Sequence, residues 1–408
     1  MKVVKKWSAA LAAFGLTLAC VASLFFASCS NSSDNPIVLP VVGPAQINPA
    51  LVPLTLEAID AGAVVTFCNK AERAVTYKVN GSEAQTIASG ETKAITLAAA
   101  GDKVAFYGNN STYKAQSGQS NIACSAQCYI YGNIMSLISS SDYENSKKLV
   151  GSNTFWGLFQ NNANIKNKDG EDLLLPATTL TEWCYNDMFN GCSSLAKAPA
   201  LPATTLAGHC YCDMFNGCTS LTTAPALPAT TLDGCCYSGM FAHCTSLATA
   251  PALPATSLPD QCYSNMFWGC TSLATAPELP ATTMAYKCYS SMFMECDNLT
   301  TAPALPATTL AANCYECMFY YCASLTTAPA LPATSLAWEC YLAMFENCSN
   351  LSSVTCLATD ISANNCVNDW LKGVKSTGEF TKAASMTTWP TDSASGIPQG
   401  WTTKDYQP

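Results

Sequence analysis

Seven uninterrupted copies of a 26-residue phrase leave this chain few ways to fold. The copies open at Leu175, Leu201, Leu227, Leu253, Leu279, Leu305 and Leu331, and the fullest form reads LPATTLxxxCYxxMFxGCTSLTTAPA. A first cysteine recurs at Cys184, Cys210, Cys236, Cys262, Cys288, Cys314 and Cys340, and a second at Cys192, Cys218, Cys244, Cys270, Cys296, Cys322 and Cys348. A fixed period of this length marks one supersecondary unit stacked on copies of itself, each touching mainly its neighbours. A copy this small cannot bury enough surface to stand alone, so stacking must stabilise it and both ends need caps.

In CYNDMFNGC, Cys184 to Cys192, about 100° of turn per residue gathers Cys184, Tyr185, Met188, Phe189 and Cys192 on one apolar arc. That arc predicts a short amphipathic helix. Gly191, Gly217 and Gly269 sit at its end, where a left-handed residue closes a helix. The other half, SLTTAPALPATTL, carries two prolines three residues apart. It predicts an extended segment with rungs of two or three residues, because proline cannot donate to a ladder. The fold class expected is an α/β solenoid with short rungs and short helices.

Residues 1–28 carry Lys2, Lys5 and Lys6 and then an apolar run from Trp7 to Ala27, the pattern of an export signal. Phe26-Ala27-Ser28-Cys29 resembles the lipobox of bacterial lipoproteins, with Phe26 in place of the usual leucine. That resemblance implies lipidation at Cys29, and residues 29–53 read as a flexible lipidated tether. Residues 54–131 alternate in VVTF, VTYKV, AITL and KVAFY, with Asn80-Gly81 as a hairpin signal, and predict a small β-sandwich domain that spaces the repeats or binds glycan. Residues 132–174 read as a helical connection and a capping half-repeat, where Leu158-Phe159 replaces Met-Phe and Asn162 replaces the second cysteine. The seven repeats fill 175–356. A degenerate repeat and C-terminal cap occupy 357–408, where Cys366 keeps the 26-residue step but Val367 replaces the tyrosine.

The repeat resembles those of the BspA-like leucine-rich-repeat surface lipoproteins of anaerobic, host-associated bacteria. The shared pattern is cysteine, two residues, leucine, a proline-flanked extended segment, a second leucine and an aromatic-bearing segment, seen here as Cys218 to Leu221, Leu227-Pro228, Leu232 and Met240-Phe241. It covers about Phe155 to Val374, and the terminal Gly396 to Trp401 looks like an ending common in that family. The resemblance implies a leucine-rich-repeat solenoid displayed from the outer membrane or cell surface, with adhesion or host-protein binding as its use.

The formal net charge is −9, and Arg73 is the sole arginine; nothing supplies the basic footprint that nucleic-acid binding needs. Two histidines and no nucleophile–base arrangement leave no catalytic residue, and no phosphate loop or cofactor motif is present. His209, His243, Cys212, Cys235 and Cys317 show no recurring zinc spacing, so no metal site is expected. On a helix, positions eight apart lie about 12 Å apart, beyond disulfide reach. The repeat cysteines therefore read as buried thiol ladders, with bridges between neighbouring repeats as the alternative. Cys124 and Cys128 either bridge locally or pair with Cys68.

The slots that vary among repeats hold Trp183, Trp268, Trp338, Tyr320 and Tyr286, a candidate binding surface opposite the buried arc. The alternative is that each ring packs over a neighbouring repeat. A competing surface is the uncharged stripe of Thr223, Thr249, Thr275, Thr301 and Thr327. The function expected is that of a non-catalytic, lipid-anchored bacterial surface protein whose repeats bind a host or bacterial protein. Glycan binding by the β domain and a structural coat component are the alternatives.

Overall fold

The computed structural model describes residues 48–115, 118–392 and 395–407. The expected export signal, Cys29 and the tether up to residue 47 lie outside these residues.

The period-two runs form β1 (Thr55–Ala58), β2 (Ala63–Cys68), β3 (Val75–Val79), β4 (Gln85–Ile87), β5 (Thr92–Leu97), β6 (Lys103–Tyr107), β7 (Lys114–Ala115), β8 (Gly118–Gln119), β9 (Asn121–Cys124) and β10 (Cys128–Asn133). Asn80 and Gly81 both take positive φ, and Ser82 N–H donates to the Val79 carbonyl, the mirror-image turn that suits the twist of β3 and β4. One sheet runs β5–β2–β9. The larger one runs β11–β10–β1–β6–β3–β4, where β11 is Ile165–Lys166, and β12 (Leu173–Leu174) also pairs with β10. Alternation in β2 buries Ala63, Val65 and Phe67, and Phe67 meets Phe106 of β6 edge-on at 5.2 Å, so the inner faces of the two sheets share a core.

The larger sheet does not end at Tyr131. β10 lies antiparallel to β1 on one side and parallel to β11 and β12 on the other, which carries hydrogen bonding directly into the first, imperfect repeat. Glu57 of β1 ties this junction, accepting from Lys168 at 2.7 Å and Tyr131 at 2.8 Å and pairing with Lys103 at 3.3 Å. Burial opposes its ionisation, but those three donors outweigh it and hold the carboxyl below its ordinary range. Gly132, in β10, has φ +88°, and a Cβ there falls 2.1 Å from the Pro53 carbonyl oxygen. Gly132→Ala is expected to lower stability by on the order of 3 kcal/mol. Gly170→Ala, equally left-handed but with open space around it, loses only about 1 kcal/mol. Urea midpoints of the two variants check the difference.

The α/β solenoid expected from the sequence is not what forms. Among the described residues there is no α-helix, only two 3-10 turns at Pro49–Leu51 and Ile134–Leu137, so the connection after Tyr131 is helical over those four residues alone. The remaining regular structure is β-strand in several separate sheets, none of them closed. Between β12 and residue 353 no strand forms; the proline-bearing halves meet only at isolated parallel bridges such as Thr205 with Thr231 and Thr283 with Thr309. Neither the helical layer nor a continuous sheet layer exists.

Each repeat instead passes through three chained turns. The N–H groups of Cys184, Met188 and Cys192 donate three residues back, to Thr181, Tyr185 and Phe189, whereas those of Tyr185, Asp187, Phe189 and Gly191 donate to Cys210, Cys212, Met214 and Asn216 of the next repeat. A helix keeps nearly all its N–H groups for itself; this backbone gives every second one to its neighbour. Trp183, Asp187 and Gly191 take φ of 59°, 54° and 75°, and the same left-handed positions recur in every repeat through Glu339, Ala343 and Asn347. The glycines expected to close a helix are left-handed, but as the third such corner of a turn chain.

The stacking shows in two ring columns. One runs Tyr113, Phe155, Tyr185, Tyr211, Tyr237, Tyr263, Tyr289, Tyr315, Tyr341, Trp370 and Trp389, with centroids 5.5–6.4 Å apart. The other runs from Phe159 through Phe189 to Phe345 at 5.5–5.8 Å. The cysteines among the described residues are free thiols. In the second column each thiol donates back to a phenylalanine carbonyl of the preceding repeat, as Cys218 to Phe189 at 3.2 Å and Cys322 to Phe293 at 3.0 Å. At the far end β13 (Ser353–Cys356), β14 (Glu379–Lys382) and β15 (Thr402–Asp405) pair in parallel, and Trp370, Trp389 and Trp401 cover the last rung.

Candidate interaction surface

The turn chain sorts each repeat into fixed and free positions. Cysteine, tyrosine, methionine and phenylalanine fill the inward pairs in all seven copies, while the intervening pairs, such as 182–183, 186–187 and 190–191, change from copy to copy. Those free pairs form the corners, and the second member of each is left-handed. One face of the stack therefore carries the large aromatic differences among the copies.

The five aromatic residues predicted to form a binding surface lie on this face but not in one patch. Trp183 is covered on both sides, by Trp156 at 5.6 Å and by His209 at 3.7 Å, and the Lys114 ammonium lies 2.9 Å from the centre of the Trp156 ring. Burial depresses the His209 pKa against the pull of Glu182 and Asp233, so a neutral imidazole stacks there at pH 7. Trp183 follows the packing alternative. Sequence reasoning missed Trp156, which sits in the imperfect repeat where the register is hard to read.

Trp268 tilts against His243 at 4.6 Å, and its indole N–H is buried without a partner among the described residues. Tyr320 stands edge-on to Tyr321 at 4.7 Å, and Tyr321 keeps 46% of its surface in solvent. These rings share two adjacent columns with Met294 and Glu295.

Tyr286 and Trp338 occupy one column two repeats apart, 39% and 48% exposed, with Ala312 between them. Their register is fixed by the backbone: Gln261, Lys287 and Asn313 donate their N–H groups to the carbonyls of Tyr286, Ala312 and Trp338. Ala312 stands between the two rings in this column, and the Lys287 ammonium lies 5.6 Å from the centre of the Tyr286 ring. Beside this column lie the Lys287–Glu316 pair at 3.1 Å and the buried Asn313, whose amide donates to Glu316 and Glu339 at 3.0 and 2.9 Å.

On the opposite side, the stripe of Thr223, Thr249, Thr275, Thr301 and Thr327 is exposed, as expected from its place in the extended half. Next to it runs a shallow groove walled by prolines and alanines. One part, about 380 Å³, lies over the first two repeats, where Lys197 pairs with Asp172 at 2.7 Å and Asn167 holds the backbone of Ala196 and Lys197; another, about 440 Å³, lies between Ala302 and Pro332. Hydrogen-bonding groups inside it are few.

Among the described residues no group of three or more His, Cys, Asp or Glu could hold a metal ion, and no helix is long and apolar enough to cross a membrane. No protein-family model matches the chain, and no curated protein and no solved structure is significantly similar to it.

Proposed function

We propose that this chain is a non-catalytic binding protein of the bacterial cell surface, held by lipid on Cys29, which captures a protein partner on the turn-corner face of its repeats. One observation carries the reading. Within the seven repeats the large apolar side chains left exposed are Tyr286, Tyr321 and Trp338, and all three occupy the free corners of that one face. Exposed aromatics on one face of a rigid surface are the usual anchors of a protein interface. The backbone hydrogen bonds between repeats supply the rigidity, so little ordering cost falls on binding.

The test uses the full chain on arrays of matrix proteins and of glycans. A protein ligand found there is expected to bind Tyr286→Ser/Trp338→Ser at least about 30-fold more weakly, the loss of one interface hot spot of about 2 kcal/mol. The thermal midpoint stays unchanged, because both rings are half in solvent. Binding to glycans alone, or protein binding indifferent to both substitutions, overturns the assignment.

A further inference from the structure

We propose that the partner held on the turn-corner face is a basic protein segment, whose arginine or lysine side chains seat on Trp338 and Tyr321 against the carboxylates of Glu339 and Glu295. This rests on the function proposed above and names the chemistry of that partner.

Charge is unevenly placed on the repeats. The corner pairs of the seven copies hold eight carboxylates, from Glu182 to Glu346, with Lys287 as their one lysine and no arginine. Glu316 pairs with Lys287 at 3.1 Å and Glu346 with Lys372 at 3.0 Å; the other six form no ion pair among the described residues. The rest of the same copies holds three carboxylates, Asp233, Glu278 and Asp297, and Lys197. The negative charge of the repeats is therefore concentrated on the face that also carries the exposed rings.

Each of those rings has a carboxylate one step away. Asp260 accepts the Tyr286 N–H at 3.0 Å, Glu295 stands one repeat before Tyr321 in the same column, and Glu339 follows Trp338 in the chain. A ring face beside an anion suits a guanidinium or ammonium, which the ring attracts through its quadrupole and the carboxylate through its charge. At Tyr286 the chain supplies a cation itself, Lys287. Over Trp338 and Tyr321, 48% and 46% exposed, no cation lies among the described residues.

A buried group points the same way. Asn313, 2% exposed, donates its N–H to the Trp338 carbonyl and its amide hydrogens to Glu316 and Glu339, while its side-chain oxygen has no partner among the described residues. An acceptor left unpaired there is satisfied by a donor, which a basic side chain brings and an ionised carboxylate lacks. The amides of Asn313 and Asn365 hold the Glu339 carboxylate at 2.9 and 3.1 Å. Being neutral, they fix its position without cancelling its charge.

The experiment titrates hexa-arginine and hexaglutamate peptides into the full chain by calorimetry. Hexa-arginine is expected to bind, about tenfold more weakly at about 300 mM than at about 50 mM sodium chloride, and hexaglutamate is expected not to bind. Glu295→Gln/Glu339→Gln is expected to weaken hexa-arginine about tenfold, and Trp338→Leu, which keeps an apolar side chain but removes the ring, about fivefold. Glu278→Gln, in the extended half, leaves the affinity unchanged. Hexaglutamate bound as tightly as hexa-arginine, no binding of hexa-arginine, or hexa-arginine binding indifferent to Glu295→Gln/Glu339→Gln overturns the basic partner. An array ligand lost in Tyr286→Ser/Trp338→Ser would stand in each of those cases, so this failure is separable from failure of protein capture itself. Should the double variant misfold because Glu339 holds two asparagines, Glu295→Gln alone decides, since that carboxylate has no hydrogen bond or ion pair among the described residues.

Discussion

Raising the pH through about 9 to 11 is expected to unfold the chain in one steep transition. Burial pushes the thiols of Cys184, Cys218, Cys236, Cys270, Cys340, Cys348 and Cys356 up to about 12, against about 8.5 for an exposed cysteine. The folded pKa lies above the unfolded one. The stability these groups contribute is therefore complete below about pH 8.5 and is lost as the pH climbs toward the folded value. At about pH 10 the unfolded state gains roughly 2 kcal/mol from each such thiol, on the order of 14 kcal/mol from the seven. That equals the whole stability of an ordinary domain.

The buried phenols of Tyr185, Tyr211 and Tyr341 are raised by burial too and steepen the fall at higher pH. Thiolate absorbance and circular dichroism, recorded on one pH series, check the claim. Both are expected to change together and late. Thiolate absorbance that grows smoothly from about pH 8.5 while the dichroism stays native would show the repeat thiols to be open to solvent.

How much of this was readable beforehand depends on which spacing is asked. Cys184, Tyr185, Met188, Phe189 and Cys192 are all buried, and their identity as core followed from their recurrence. Their spacing of one, three, one and three fits a repeat of four residues as well as a helix of 3.6, and nothing in the apolar pattern separates the two. The discriminating signal lay in the polar pairs. Asp187, Gly191, Asp213, Gly217 and Asn265 place residues that tolerate positive φ at every fourth position. Trp183, Lys287 and Glu339 hide the same signal in the first corner, because those side chains rarely take that conformation.

The surface was partly legible for the same reason. Tyr286 and Trp338 fall in one column because the period is fixed, so counting by 26 finds their slot. The covering of Trp183 was not legible, since it depends on Trp156 in a repeat whose spacing is broken. Continuity of the larger sheet into β11 and β12 was hidden as well, because two-residue strands leave no alternation to read.

Phe267→Ala is expected to cost about 3 to 5 kcal/mol and to weaken the molecule at one place. Phe267 has no solvent exposure, and its ring lies between those of Phe241 and Phe293, 5.7 Å from each. Truncation leaves a gap that neither neighbour can close, because both rings belong to columns whose spacing the backbone hydrogen bonds fix: Phe241 N–H donates to Met266, and Phe267 N–H to Met292. In a stack held by neighbour contacts, a defect acts first on the two interfaces it touches and only then on the remainder. Amide hydrogen exchange should therefore speed up in the repeats opening at Leu227, Leu253 and Leu279 more than in β2 and β6, whose core includes Phe67 and Phe106. Tyr406→Ala, at a residue 42% exposed, is expected to stay within about 0.5 kcal/mol of the parent. Equal acceleration of exchange from β1 to β15 would mean that the repeats and the sheets melt as one cooperative body, and the neighbour-contact account of stability would fail.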